Sequence, residues 1–112
     1  MNARVREELN SICGIICKTV ETQKIYLFGS YAYGQPSEES DYDLCVIIPD
    51  GSVRPVDAIK DIRRALYPIQ SMPLDVIVCS EQNFSAKSSQ ATLERKIARE
   101  GVLLYEQDRP LL

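Results

Sequence analysis

Two aspartates flank one tyrosine in the segment Ser40-Asp41-Tyr42-Asp43-Leu44, and a glycine-serine pair, Gly29-Ser30, precedes them at the end of an apolar run. On an extended strand, side chains two apart project to the same side, so Asp41 and Asp43 present two carboxylates on one face. A third acid, Asp75, stands after Pro73-Leu74 and opens the β-branched run Val76-Ile77-Val78. If that run is the neighbouring strand, the three carboxylates converge. Like charges a few Å apart oppose one another's ionisation, and a magnesium ion, which prefers hard oxygen ligands, relieves the repulsion. Two such ions about 3.5–4 Å apart stabilise both the attacking and the leaving oxygen of a phosphoryl displacement. The cluster points to nucleotide chemistry.

The glycine-serine turn supplies the other half. Tyr26, Leu27 and Phe28 are expected to end a strand, and Gly29-Ser30 to turn the backbone into a short helical segment, Tyr31 to Tyr33, closed by Gly34. Glycine lets a phosphate approach the main chain, a helix N-terminus favours anions, and the Ser30 hydroxyl can donate to a phosphate oxygen. Ser40 has two open readings, a phosphate contact or a support for the loop. Neither a GKS/T ending nor a GxGxxG pattern is present, so the turn is neither a P-loop nor a dinucleotide fingerprint.

GSYAYG followed by SDYDL resembles the GSxxxG…SDxDL signature of the minimal nucleotidyltransferases, small members of the DNA polymerase beta-like nucleotidyltransferase superfamily. Asp75 falls where that family carries its third carboxylate, and LERKIAREGVLLYE is similar to its closing helix and strand. The resemblance covers nearly the whole chain. One departure stands out: many members have arginine just before the second glycine of the turn, where this chain has Tyr33.

The resemblance implies transfer of AMP from ATP to a hydroxyl group. Asp41 and Asp43 would ligate two magnesium ions, Asp75 would ligate one and help deprotonate the incoming hydroxyl, and Gly29 and Ser30, with Gly34 and Ser40 nearby, would bind the nucleotide. It also implies a partner: a helical HEPN-type toxin, whose tyrosine is the acceptor and whose antitoxin is the minimal nucleotidyltransferase. Two other readings stay open. One is a non-catalytic antitoxin that neutralises its partner by docking; the other is a subunit that modifies an aminoglycoside-like compound in a cleft built by an oligomer.

Bulk properties exclude several classes. A chain of 112 residues suits one compact domain spanning 1–112. A formal charge of -3 argues against an electrostatic grip on nucleic acid, which demands a basic face. With no histidine, Ser-His-Asp triads and histidine-containing zinc sites are ruled out. No apolar run is long enough to span a membrane and no signal peptide opens the chain, so a cytoplasmic location is expected. There the four cysteines should stay thiols.

Periodicity predicts the elements that carry these residues. Val5, Leu9, Ile12, Cys13, Ile16 and Val20 recur at helical spacing, predicting an amphipathic helix over 2–21. Strands are expected at Lys24 to Phe28 and Tyr42 to Ile48, the second ending at the turn Pro49-Asp50-Gly51. A helix over 55–67 starts with proline in its first turn. Leu74 to Cys79 is the third strand, residues 80–87 a polar loop around Phe84, Ser88 to Glu100 the closing helix capped by Gly101, and Val102 to Tyr105 a final strand. The expected fold is α/β: a small mixed sheet backed by helices, assigned to the nucleotidyltransferase fold on the resemblance.

Other residues invite chemistry and have simpler readings. Cys13 and Cys17 lie at i, i+4 as a metal or redox pair would, yet read as core residues without further ligands. Cys45 and Cys79 share the faces of Asp43 and Asp75 and read as packing. Tyr31, Tyr33 and Tyr42 lie inside the motif, where stacking or self-modification is conceivable, and read as rim tyrosines of a small core. ATLERKIARE reads as the solvated face of the last helix.

Overall fold

The computed structural model describes residues 3–33, 41–69 and 74–107. Its elements run α1 (Ala3–Thr19), β1 (Lys24–Phe28), β2 (Tyr42–Ile48), α2 (Pro55–Leu66), β3 (Leu74–Ser80), α3 (Glu81–Ser88), α4 (Leu93–Glu100) and β4 (Val102–Glu106). The four strands form one mixed sheet in the order β3-β2-β1-β4. β1 pairs antiparallel with both β2 and β4, and β2 pairs parallel with β3. A parallel pair cannot be joined by a tight turn, and α2 provides the crossover.

β2 lies inside the sheet and is buried on both faces, which is why Leu44-Cys45-Val46-Ile47-Ile48 is continuously apolar rather than alternating. Ile25, Leu27, Leu44, Val46, Ile48, Val76 and Val78 point to one side, where Leu9, Ile12 and Ile16 of α1 and Ala58, Ile62 and Leu66 of α2 close the main core. The residues between them point to the other side, where Cys45 and Ile47 meet Phe84 of α3 and Ile97 of α4, with Tyr26, Phe28, Ile77 and Cys79 packed around them.

Strands β1 and β2 have the expected bounds, and α1, α2, β3 and β4 differ by a residue or two at an end. Residues 80–87 need correcting: they are not a loop but most of the helix α3. Phe84 is its one buried residue, so there is no apolar period to read. The helix rests instead on its start. The Ser80 hydroxyl accepts from the Asn83 N–H at 3.3 Å, and Asp50 Oδ1, from the turn after β2, accepts from the Gln82 N–H at 3.0 Å. The closing helix correspondingly begins at Leu93, not Ser88, with Thr92 as its N-cap accepting from the Arg95 N–H at 3.2 Å.

Gly101 caps α4 as expected, its N–H donating to the Ile97 carbonyl at 2.9 Å, with a φ of -68° that any residue can adopt. Its lack of a side chain is needed for a different reason. A Cβ here would lie 2.6 Å from the Ile97 carbonyl oxygen and 3.2 Å from that of Leu27, so glycine lets the end of α4 press against β1.

Candidate functional site

The pairing register places the acids. Phe28, Asp43 and Asp75 are neighbours across β1, β2 and β3, forming one row; Tyr26, Cys45 and Ile77 form the next, and Lys24, Ile47 and Cys79 the third. Apart from Lys24, the other two rows pack under α3 and α4. The first row lies at the end of the sheet where β1 runs into Gly29. Asp41, immediately before β2, shares its alternation with Asp43.

Asp41 and Asp43 are half-buried and Asp75 is exposed. Burial first, then the charges of Asp75 and Asp41, pushes the Asp43 carboxyl above its ordinary range. Among the described residues, no ion pair involves any of the three acids. Nor do three potential ligands there close to coordination distance by themselves. The site is thus a set of hard oxygen donors of like charge, in which burial first and the neighbouring carboxylates second already oppose ionisation of Asp43. That donor set suits a hard divalent cation and offers no soft ligand to a transition metal.

Tyr42 holds the pair from beneath. It points away from the two aspartates into the main core, is 1 % exposed, and its hydroxyl donates to Glu8 Oε1 of α1 at 2.7 Å. Burial and the Glu8 carboxylate both raise its pKa. The phenol is fixed and neutral, which removes Tyr42 as a site of self-modification. Tyr31 packs edge-on against it with ring centroids 4.7 Å apart, tying the glycine-serine turn to the same anchor.

The turn forms as expected. Gly29 has φ +76°, a conformation that glycine adopts without strain. Its carbonyl accepts from the N–H groups of Ala32 at 3.0 Å and Tyr33 at 3.1 Å, making a single helical turn. A Cβ on Gly29 would run into Asp43 Oδ2, so the glycine is also what lets the Asp43 carboxylate lie against the main chain. Ser30 begins this turn and is half-buried. Gly34 and Ser40 lie outside the described residues.

The turn also carries a contact not foreseen in the sequence. Lys96 of α4 places Nζ 4.8 Å from the Tyr33 ring centroid, so the segment 91–100 is more than a solvated face. No spacing in the sequence joins the two residues: the contact arises only because Ile97 packs α4 over the second sheet face, beside the turn. The Tyr33 hydroxyl oxygen is buried without a hydrogen-bond partner among the described residues.

The cysteines follow the simpler reading. Burial, with a smaller contribution from Cys17, pushes the Cys13 thiol up to about 12. Interaction with Cys79, together with burial, pushes the Cys45 thiol up. All four are free. A cleft of about 570 Å³ lined by Gln23, Lys24, Phe84 and Ser88 lies toward the Lys24 end of the same sheet face, away from the acid row.

Comparison with known proteins agrees with this geometry. The family model described as "Polymerase beta, Nucleotidyltransferase" matches residues 10–110. A protein of Methanocaldococcus jannaschii named "Putative protein adenylyltransferase MJ0604" is 36 % identical over 83 residues, covering 74 % of this chain and 78 % of its own. Among solved structures, a "putative nucleotidyltransferase" from Sulfolobus solfataricus superposes with a TM-score of 0.70 at 18 % identity, covering 97 % of this chain and 86 % of its own. A toxin–antitoxin structure with AMP-PNP superposes with a TM-score of 0.63 at 22 % identity, covering 87 % of this chain and 72 % of the other. A MntA-HpeT toxin–antitoxin mutant does so with a TM-score of 0.61 at 19 % identity, covering 87 % and 71 %. These structural likenesses speak to the fold, and the family match to the chemistry. The chain belongs to the polymerase beta nucleotidyltransferase family, a family of enzymes, and fits its minimal branch.

Proposed function

We propose that this protein is a magnesium-dependent adenylyltransferase that moves AMP from ATP onto a tyrosine hydroxyl of a helical HEPN-type toxin, for which it serves as antitoxin. The observation that carries the reading is the in-register pair Asp43 and Asp75, with Asp41 alongside, next to a glycine whose missing Cβ admits the Asp43 carboxylate. The adenylyl group and the protein acceptor are suggested by the relative's name, and a toxin partner by the toxin–antitoxin neighbours.

In this scheme Asp41, Asp43 and Asp75 would hold two magnesium ions, which when bound would neutralise charge on the α-phosphate and on the departing pyrophosphate. Gly29 and Ser30 hold the β- and γ-phosphates by main-chain and hydroxyl contacts. Asp75, the exposed member of the row, faces the incoming acceptor and takes its proton. The acceptor oxygen forms a bond to the α-phosphorus as the α–β anhydride bond breaks, and pyrophosphate leaves. Catalysis here rests on positioning and charge neutralisation.

The test is incubation with α-labelled ATP and magnesium, with and without a HEPN-type partner encoded beside it, for the native chain and the Asp41→Asn/Asp43→Asn variant. Magnesium-dependent label on the partner that vanishes in the variant supports the scheme. Tight complex formation without label on either protein sinks it in favour of a docking antitoxin. Label transferred only to an added aminoglycoside points to a small-molecule enzyme.

A further inference from the structure

The cluster of cationic and aromatic groups at the Gly29-Ser30 turn is not used by the acid-row scheme. Lys96 is exposed, on the second turn of α4, and among the described residues it makes no ion pair, whereas its neighbour Glu94 is paired with Lys87 at 3.7 Å. Its ammonium is instead held 4.8 Å from the centroid of the Tyr33 ring. An exposed lysine ordinarily samples many rotamers, and a ring face restricts it by cation–π attraction. That ring belongs to the turn itself, because the Tyr33 N–H donates to the Gly29 carbonyl. The fold therefore parks one positive charge on a ring carried by the turn that Ser30 begins, a turn that leads to a site whose three charged side chains are all negative.

We propose that Lys96 binds the terminal phosphates of the nucleoside triphosphate, and that Tyr33 is a positioning residue whose ring holds the ammonium at the mouth of the Gly29-Ser30 turn. The inference rests on the nucleotide-transfer reading above. An acid row alone repels a triphosphate. Metal ions offset the row, and a lysine seated on the turn's own tyrosine ring adds a second contact to the phosphate tail, which departs as pyrophosphate. A lysine suits the task as a compact point charge on a flexible stem, able to swing from the ring to the phosphate without leaving α4.

The proposal makes the contact specific to the phosphate tail, so ATP and AMP separate it from a merely structural role. Binding of each, with magnesium, is measured by isothermal titration for the native chain, Lys96→Met, Lys96→Arg, Tyr33→Phe and Tyr33→Ala. Loss of a charge-assisted phosphate contact should weaken ATP binding by about ten-fold in Lys96→Met, with AMP binding changed by less than about two-fold. Lys96→Arg restores ATP binding, Tyr33→Phe behaves as the native chain, and Tyr33→Ala shifts toward Lys96→Met. Melting curves check that the Lys96 variants, substituted at an exposed position, are folded, so they carry the test even if Tyr33→Ala does not fold. Equal weakening of ATP and AMP, or none, with native ATP binding intact overturns the role of Lys96 alone. A native chain that binds neither nucleotide overturns it together with the reading on which it rests.

Discussion

At Gly29 and Gly51 the backbone adopts nearly the same positive φ, +76° and +77°, in opposite surroundings. A Cβ at Gly51 meets nothing within 4 Å, whereas at Gly29 it meets Asp43. Gly51→Ala should therefore cost only the left-handed penalty, roughly 1–2 kcal/mol, and leave nucleotidyl transfer intact. Gly29→Ala should cost more and abolish transfer, because the Asp43 carboxylate must move; denaturant melts and a transfer assay check the pair. Asp43→Asn is expected to raise the melting temperature in metal-free buffer while eliminating activity, since burial and like charges oppose the ionised group. A lower melting temperature would mean that the carboxylate serves the fold. The acids were legible because alternation along a strand and the order of motifs are properties of sequence. The Lys96–Tyr33 contact was not, because it joins residues more than sixty positions apart through the packing of a helix whose start was misread.

Helix α3 marks where local pattern stops informing. Its single buried residue, Phe84, is 8 % exposed and stacks on Tyr26 with ring centroids 5.8 Å apart. One anchor produces no period, and the stabilising contacts come from Ser80 and from Asp50 far back in the chain. Phe84→Ala should accordingly cost about 3 kcal/mol, and amide exchange should show α3 opening before α1. Helix α1 is the contrasting case, read correctly because four of its residues are buried on one stripe. Within it, Cys13 has a thiol pushed from 9.0 to about 12, mainly by burial. The folded state keeps this proton more firmly than the unfolded chain, so the associated stability is complete below pH 9 and is lost as pH rises toward 12. Alkylation at pH 8 should leave Cys13 unmodified in the native protein, and a Cys13→Ala variant should show a flatter decline in stability above pH 9.

For the whole molecule, the sheet separates two tasks. One face carries the main core under α1 and α2; the other carries a smaller core under α3 and α4 with the acid row at its end. Ligand binding at that end should stabilise the molecule by mass action, about 2.7 kcal/mol at a hundred times the dissociation constant. ATP with magnesium is therefore expected to raise the melting temperature of the native chain and not of Asp41→Asn/Asp43→Asn. No described helix is long and apolar enough to cross a membrane.

The β1–β4 pairing shifts register between Ile25 and Tyr26, while the β1–β2 and β2–β3 pairings run without interruption. The sheet thus has one ladder that has already absorbed an irregularity and two that have not. A residue gained or lost along β4 can be taken up at that shift, leaving Phe28, Asp43 and Asp75 aligned. The same change inside Tyr42–Ile48 would exchange the two faces, sending Asp43 toward the main core and Leu44 onto the face of the acid row. Length variation among descendants of this chain should consequently accumulate on the β4 side, and the distance from Asp41 to Ile48 should stay fixed in number of residues even where the residues themselves change.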